Sequence, residues 1–323
     1  MDLRRVPVRK QVPKDPEARP EVGEMLAELA RRILVHAESP GEYATAISGL
    51  TLFRQHAPSA CYLAFVEPSL MIFVQGGKRI KLGGSQFLCD QSSFLLACID
   101  VPIQSQIVEA SEERPQISMR LGLDMTTVRE VLSREDIPQS KVPAEKRGLA
   151  LGQMTAGLLD ASIRLIGLLE TPGDVPFLGH LIEREIIYRI LQTPQGERLR
   201  AIASTGNLSH RAAKAIAWLS ENYAKPLHME KLAEIARMGV STLHHQFRAL
   251  TAMSPLQFQK QLRLRVARER MLKDGLDATS AAYEVGYESV SQFNREYSRF
   301  FGQPPMRDIK AIRDGKVVAI DAA

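Results

Sequence analysis

The chain has 323 residues, of which 45% are hydrophobic and 24% charged, and its formal net charge is +5. This is an ordinary globular composition, and the length suits two domains. No apolar run approaches the roughly 18 residues that a membrane-spanning helix needs, and the N-terminus lacks the apolar core of a signal peptide. We therefore expect a cytoplasmic protein without a membrane partner.

Residues 1–20 combine four prolines and six lysines or arginines with almost no large apolar residue. Such a stretch is typical of a mobile tail, and an arm that contacts DNA is the alternative. Residues 21–38 follow the spacing of one amphipathic helix, which Ser39, Pro40 and Gly41 end. Its apolar face consists of Val22, Met25, Leu29, Ile33 and Leu34.

The hydrophobic period changes to two between Tyr43 and Leu123, which indicates short strands. Gly76 and Gly77 separate two of these strands and predict a hairpin. Many short strands with turn residues between them favour a small β-barrel or sandwich. The candidate strands are Ala60–Val66, Met71–Gln75, Lys78–Leu82, Gln86–Asp90, Phe94–Ile99, Ser105–Val108 and Ile117–Leu123.

Helical spacing returns after the strands. Asp124–Leu132 is predicted to be a short helix, and residues 133–146 a polar linker that contains proline. Gly148–Glu170 and Asp174–Gln192 are predicted to be two longer helices with broad apolar faces. These faces either only cover the barrel or also form a dimer interface, and the sequence leaves both alternatives open.

The stretch from Met229 to Pro305 contains the same helical pattern twice, with a repeat of about 50 residues. Leu232–Pro255 is the first copy and Ala281–Pro305 is the second. Each copy has a short helix, a turn of small residues and a second helix, for which Gly239 and Ser289 are the predicted N-caps. This arrangement describes a helix-turn-helix, whose second helix enters the major groove of DNA.

A predicted hinge at residues 205–207 and a helix over Ser209–Tyr223 precede the repeat. From Gly206 to Lys310 there are 16 lysines and arginines against 10 aspartates and glutamates, whereas the remainder has 26 against 27. The basic excess therefore falls on the predicted DNA-binding part, as phosphate contacts require. A merely solvated basic face is the alternative.

The tandem pattern, the intervening helix Leu256–Leu272 and the ending GYESVSQFNREYSRFFGQPP (286–305) resemble the AraC/XylS family of bacterial transcription regulators. EPSLMIFVQGGKRIKLGG (67–84), DVPIQSQIVEAS (100–111) and the following RLGLD resemble the cupin-like N-terminal domain of one AraC subgroup. GHLIEREIIYRILQTPQGERLRAIA (179–203) is similar to the helical segment of that subgroup. The resemblance implies an α+β chain, with an N-terminal cupin-like β-barrel and helical segment followed by an all-α domain with two helix-turn-helix motifs.

The predicted domains are a disordered tail at 1–20, a cupin-like effector-binding domain at 21–132, a linker and helical segment at 133–205, a tandem helix-turn-helix domain at 206–310 and a C-terminal tail at 311–323. The resemblance implies a transcription regulator, in the first place an activator, that acts on promoter DNA in the bacterial cytoplasm. It also implies RNA polymerase as a partner, a homodimer, and a small organic effector that the sequence does not identify.

The first two turns of the second helix in a helix-turn-helix face the base edges. Leu243 and Phe247 are predicted to point inward in the first copy, and Phe293 in the second. Arg295 is the strongest single candidate, because arginine can bond O6 and N7 of guanine together. The predicted base-reading residues are Ser241, Thr242, His244, His245, Val290, Ser291, Gln292 and Arg295.

Other basic residues are weaker candidates for contacts with phosphate, which position a protein without reading sequence. These are Arg248, Arg263, Arg268 and Arg299. His245 occupies a position where arginine is frequent in the subgroup, so the specificity of the first copy is less defined. A solvated helix face is the alternative role for His244 and His245.

The barrel offers few residues for metal binding or catalysis. His56 is the only histidine between Tyr43 and Leu123, which argues against a metal centre of the His-rich type. No Ser-His-Asp set, phosphate loop or HExxH motif occurs, so we expect neither a catalytic site nor a cofactor. Cys61, Cys89 and Cys98 form no CxxC site.

The three cysteines support one further hypothesis, a thiol-based sensor of oxidants or electrophiles. The alternative is that Cys61 and Cys98 are small buried thiols in apolar strands, which leaves Cys89 as the least buried. Two other functions stay open. They are a cupin-like enzyme with a DNA-binding tail and an architectural protein that binds DNA without sequence preference.

Overall fold

A β-rich N-terminal part and a helical C-terminal part follow one another in the computed structural model, which describes residues 20–134 and 147–314. The predicted fold class, an N-terminal β domain followed by a helical helix-turn-helix domain, is confirmed. The predicted tail over 1–20, apart from Pro20, and most of the predicted linker over 133–146 lie outside the described residues. The predicted C-terminal tail lies outside them beyond residue 314.

Within the described residues, ten strands form two antiparallel sheets. The larger sheet has the order β1-β2-β9-β4-β7-β10 and the smaller one the order β3-β8-β5-β6. The strands therefore form a sandwich of two sheets and not a continuous closed barrel. The strands are β1 Gly41–Ala44, β2 Leu50–Gln55, β3 Tyr62–Val66, β4 Ser69–Gln75, β5 Gly77–Leu82, β6 Ser85–Cys89, β7 Ser93–Ala97, β8 Val101–Glu109, β9 Gln116–Gly122 and β10 Leu149–Gln153.

The last strand corrects the predicted helix over Gly148–Glu170. Residues Leu149–Gln153 instead pair antiparallel with β7, with Leu149 opposite Ala97. The apolar run in this stretch fits a helix as well as a strand. The strand forms because the free edge of β7 supplies backbone hydrogen-bond partners. At Gly152 an added Cβ would lie 2.2 Å from the Phe94 ring, so the absence of a side chain allows this pairing.

Within the described residues, six α-helices precede the helix-turn-helix repeat, and the last of them packs against the repeat itself. The helix predicted over Asp174–Gln192 begins later, at His180, and a stretch of 3-10 and π turns with two prolines fills residues 168–179. Proline has no amide hydrogen and disfavours a regular helix at this point. The helices are α1 Pro20–His36, α2 Met125–Leu132, α3 Ala156–Gly167, α4 His180–Leu191, α5 Gly196–Ala203 and α6 Leu208–Glu221. No described helix combines the length and the apolar character that crossing a membrane would require.

The repeat folds into two helix-turn-helix units joined by one long helix. In the first unit Leu243 and Phe247 are fully buried, and in the second unit Phe293 and Tyr297 take the same i, i+4 positions. Each pair therefore places one side of its second helix in the hydrophobic core. The helices are α7 Met229–Ala236, α8 Val240–Thr251, α9 Pro255–Lys273, α10 Ala278–Glu284, α11 Val290–Phe301 and α12 Pro305–Arg313.

The first unit is docked on the β-sandwich through its backbone. Gly148 N–H donates to the carbonyl oxygen of Leu250 at 2.9 Å, and the Gly148 carbonyl accepts from Cys98 N–H at 2.8 Å. The Arg147 guanidinium donates to the carbonyl oxygen of Arg248 at 3.1 Å. The residues before β10 therefore donate hydrogen bonds to carbonyl groups in the last turn of α8.

A close approach between Gly83 and Ala252 lies beside this contact. Ala252 ends α8 in the left-handed region, with φ of 65°, and a Cβ built on Gly83 would lie 2.5 Å from the Ala252 Cβ. No atom lies within 4 Å of a Cβ built on the neighbouring Gly84. The docked arrangement thus depends on the missing side chain at position 83.

We expect Gly83→Asn to separate the first unit from the sandwich, because asparagine tolerates the φ of 57° at this position but brings a Cβ against Ala252. Double electron–electron resonance can measure the distance between two spin labels, which are attached to cysteines introduced by Leu88→Cys and Tyr283→Cys in a Cys61→Ser background. Leu88 and Tyr283 are exposed on the sandwich and on the second unit. The labels should give a longer or broader distance distribution than in the parent protein.

The second substitution Ala252→Gly removes the opposing Cβ and suits the left-handed backbone. The double variant Gly83→Asn, Ala252→Gly should therefore return to the parent distance. Gly84→Asn is the matched control, because a Cβ at position 84 has no atom within 4 Å. An unchanged distance in Gly83→Asn would show that this contact does not hold the docked arrangement.

Candidate DNA-reading surface and sandwich cavity

The second helix of the first unit, α8, begins after Gly239, which has an extended backbone. With Leu243 and Phe247 buried, the opposite side of the first two turns faces solvent. The predicted residues Ser241, Thr242, His244 and His245 are all exposed on that side. They remain candidates for reading bases.

The second helix of the second unit, α11, begins at the N-cap Ser289, whose hydroxyl accepts from Gln292 N–H. Ser291 and Arg295 are exposed, whereas Val290 and Gln292 are partly exposed. The structure therefore brings the four predicted residues of this copy onto one surface at the start of α11. Asn294 is exposed beside them.

A hydrogen-bonded cluster that the sequence analysis missed lies behind this surface. The Glu296 carboxylate accepts from Lys260 Nζ at 2.6 Å, from the Tyr287 hydroxyl at 2.8 Å and from Gln292 Nε2 at 3.1 Å. Burial opposes ionisation of Glu296, but the hydrogen bonds from Lys260, Gln292 and Tyr287 outweigh it and hold its pKa below the ordinary value. An i, i+4 pairing of Gln292 with Glu296 is the signal by which the sequence could have indicated part of this cluster.

Two of the four predicted phosphate contacts need correction. Arg268 is buried, and its guanidinium donates to both carboxylate oxygens of Asp308 at 2.8 and 3.1 Å. The Tyr297 hydroxyl donates to the same carboxylate at 2.7 Å. The guanidinium of Arg263 is half-buried and donates to backbone carbonyl groups. Both arginines therefore stabilise the packing of the helical C-terminal part.

Arg248 and Arg299 are exposed at the ends of α8 and α11, so their guanidinium groups are open to a phosphate. They stay candidates for phosphate contacts. An exposed arginine carries its charge at any physiological pH and can bond a phosphate through two nitrogens.

A second candidate site is a cavity of about 60 Å³ inside the sandwich. Its walls are mainly apolar, and its charged groups are Glu42, Lys78, Arg120 and Arg265. Arg265 belongs to α9, so the DNA-binding part contributes one wall of the cavity. The apolar walls include Phe53, Phe65, Val66, Met71, Ile80, Leu95 and Ile103.

Lys78 is the most unusual of these charged groups. It is only 4% exposed, and its ammonium lies 5.3 Å from the centre of the Phe53 ring. The Glu42 carboxylate is 3.5 Å from the Arg120 guanidinium, and burial raises the pKa of Glu42 against the opposing effects of Arg120 and Lys78. A buried ammonium costs free energy unless an anion or acceptor faces it.

The sequence contained a signal for Lys78 that the analysis did not use. Lys78, Ile80 and Leu82 alternate along β5, and all three are buried, whereas Lys81 between them is exposed. Because side chains alternate across a strand, an inward lysine was predictable from this pattern. Arg265 was not predictable, since its contact with the cavity joins distant parts of the chain.

The predicted burial is confirmed for Cys98 and is wrong for Cys61 and Cys89. Cys61 is exposed, whereas Cys89 and Cys98 are buried. Burial raises the pKa of Cys98 to about 12 and also raises that of Cys89. Because the thiolate is the reactive form, these two buried thiols are poorly suited to sensing. Within the described residues, no three His, Cys, Asp or Glu side chains come together as metal ligands.

Sequence models of two known domains match this chain. The model of the N-terminus of AraC-type transcriptional regulators matches residues 46–198, and a helix-turn-helix domain model matches residues 232–310. The transcriptional activator RhaS of Salmonella schwarzengrund is 29% identical over 151 residues, which are 47% of this chain and 54% of that protein. RhaS of Salmonella paratyphi B is 28% identical over the same length. The chain thus spans about half the length of the curated relatives that it matches.

Two solved structures of ToxT from Vibrio cholerae share the fold. Apo ToxT K231A has a TM-score of 0.56 at 11% identity and covers 83% of this chain and 99% of its own. ToxT with a bound unsaturated fatty acid has a TM-score of 0.54 at 10% identity, with coverages of 85% and 97%. The two domain matches, in this order along the chain, and the similarity to RhaS show that the chain belongs to the AraC/XylS family of transcription regulators with an AraC-type N-terminal domain.

Proposed function

We propose that this protein is a sequence-specific DNA-binding transcription regulator whose action depends on a small organic anion bound in the sandwich cavity. The pair of α8 and α11 carries the proposal, because each presents short polar or basic side chains from its first two turns. These are the positions from which a helix-turn-helix reads bases. The protein acts by binding and not by catalysis, in the cytoplasm where its promoter DNA lies.

The proposed partners beyond DNA follow from the relatives and from the surface. RhaS is named an activator, which supports activation through contacts with RNA polymerase. Phe177, Leu178 and Leu181 leave an apolar surface at the start of α4, and Phe177 is 74% exposed. Such a surface suits a symmetric interface, so we propose a homodimer formed through this helical segment.

The charge of the cavity supports an anionic effector. Lys78, Arg120 and Arg265 face the apolar walls with Glu42 as the one carboxylate among the lining residues. The ligands named for ToxT structures are an unsaturated fatty acid and (E)-4-(8-methylnaphthalen-1-yl)but-3-enoic acid, which are both carboxylic acids. A cavity of about 60 Å³ favours a smaller acid in this protein.

The position of Arg265 supports a link between effector and DNA. Its guanidinium lies 5.1 Å from the Phe65 ring, and its Nε is buried without a hydrogen-bond partner. An acid in the cavity would change the free energy of this contact between α9 and the sandwich. The effector would then shift the population between docked and separated arrangements.

Selection of binding sites from random duplex DNA tests the DNA-binding proposal. The full-length protein should select a motif with two blocks about one helical turn apart. Arg295→Ala should lose about 1–3 kcal/mol of discrimination at one base pair of one block, because it removes a bidentate contact with guanine. Fluorescence anisotropy with single-base variants of the selected site measures this loss.

Arg299→Ala is the matched control on the same helix. It should weaken binding to all sequences about equally and reduce the salt dependence of the affinity by about one counterion. A full-length, folded protein that selects no motif, with or without an effector, would contradict sequence-specific regulation. It would favour an architectural role.

Lys78→Met tests the effector site. Removing the buried ammonium should weaken binding of a short acid by about 10- to 100-fold, which corresponds to the loss of one charged hydrogen bond of about 1.5–3 kcal/mol. Calorimetric titration with acetate and propionate, which suit a cavity of about 60 Å³, measures the affinity. The fold should persist, because an apolar side chain of similar volume replaces a buried charge.

Lys81→Met is the control, since Lys81 lies on the same strand but is exposed. It should leave the affinity for the acids unchanged. Propionamide should bind the parent protein more weakly than propionate does. Equal affinities for the acid and the amide would contradict an anion site.

A further inference from the structure

The side chain of Gln292 has a partner that decides which way its amide faces. Gln292 Nε2 donates to Glu296 Oε1 at 3.1 Å, one turn further along α11. Glu296 in turn accepts from Lys260 of α9 and from the Tyr287 hydroxyl. Glu296 thus ties a base-reading candidate to the helix that joins the two units.

The chemistry of Glu296 makes this orientation obligatory. Its carboxylate is ionised at neutral pH, because the donors around it hold its pKa below the ordinary value. An ionised carboxylate only accepts hydrogen bonds, so the amide nitrogen of Gln292 must face it, and the amide oxygen must point elsewhere. A free glutamine side chain could turn its amide by 180° at little cost.

The fixed amide favours one base. One Nε2–H of Gln292 binds Glu296, which leaves the second Nε2–H and the amide oxygen available. Adenine presents N7 as an acceptor and the N6 amino group as a donor, and glutamine matches this pair with both groups. Guanine presents two acceptors at the same edge, so the amide oxygen of a fixed Gln292 would face O6 of guanine without a hydrogen.

We propose that Glu296 is a positioning residue that sets the Gln292 amide for adenine, and that Lys260 and Tyr287 hold Glu296 in place. This inference rests on the proposed DNA-binding function. The side chain of Glu296 is 22% exposed and lies behind the reading surface, so it acts through Gln292 and not by contact with DNA. The base preference of α11 then depends on a carboxylate that does not itself contact a base.

The test compares site selection by the parent protein, Gln292→Ala, Glu296→Gln and the double variant. Gln292→Ala identifies the base pair that Gln292 reads. Glu296→Gln keeps the shape of the side chain but can face Gln292 with either its oxygen or its nitrogen. At the identified base pair, we expect the preference for adenine over guanine to fall about tenfold in Glu296→Gln. The double variant should lose no more preference than Gln292→Ala alone, because both changes act on one contact.

Glu284→Gln is the matched control. Glu284 also pairs α9 with the second unit, through Arg270, but it has no contact with a reading residue. It should leave the preference at every base pair unchanged. Thermal unfolding of Glu284→Gln and Glu296→Gln compares the stabilities of the two variants. Glu296→Gln should keep its affinity for the parent site within a few fold and its salt dependence unchanged.

Three outcomes would overturn the inference. The first is that Glu296→Gln keeps the full preference for adenine. The second is that Glu296→Gln loses affinity equally for all sequences, which would indicate a merely structural ion pair. The third is that Gln292→Ala alters no base preference, which removes the role of Gln292 while the parent protein still selects a motif. Failure of the parent protein to select any motif would instead contradict the proposed function itself, and this inference with it.

Discussion

The guanidinium of Arg263 is the interaction on which the arrangement of the two helix-turn-helix units depends. It donates to the carbonyl oxygens of Tyr223 at 2.7 Å and Gly286 at 2.8 Å, and also to those of Ala224 and Lys225. Tyr223, Ala224 and Lys225 lie in the connection from α6 to the first unit, whereas Gly286 lies in the turn of the second unit. One side chain in the middle of α9 therefore fastens both units to the same helix.

Close packing reinforces this joint. Gly286 has φ of 88°, and a Cβ there would lie 2.1 Å from the carbonyl oxygen of Ala224. Only glycine fits both the backbone conformation and the space. The distance between the two reading surfaces is thus set by backbone contacts and by a charged group with four acceptors, and not by a flexible connection.

The same helix also contacts the sandwich, which gives the cavity a direct route to the DNA-binding part. Phe258 near the start of α9 packs edge-on against Phe65 of β3, with ring centres 5.6 Å apart. Arg265, two turns further along, lines the cavity and lies over the same Phe65 ring. Under the proposed function, an effector in the cavity would act on the helix that joins both candidate reading helices, so a displacement at Phe65 would reach both.

Local patterns predicted the reading helices, whereas contacts between distant residues remained hidden. The i, i+4 pairs of large apolar residues indicated which faces of α8 and α11 are buried, and the polar residues of the opposite faces followed from geometry. Arg263 and Arg268 looked like phosphate contacts because they lie in a basic helix. Their acceptors, Asp308 and the carbonyl groups near residue 224, are about 40 positions away, and the helix sequence carries no signal for them.

We propose that α9 holds two base-reading helices at a fixed separation on one DNA molecule. The most direct test measures the affinity of the full-length protein for its selected site as base pairs are inserted between the two blocks. We expect a steep loss of affinity when about five base pairs are added, because half a helical turn moves one block to the opposite face of the duplex. Affinity that stays constant across all spacings would contradict a rigid pair of reading helices.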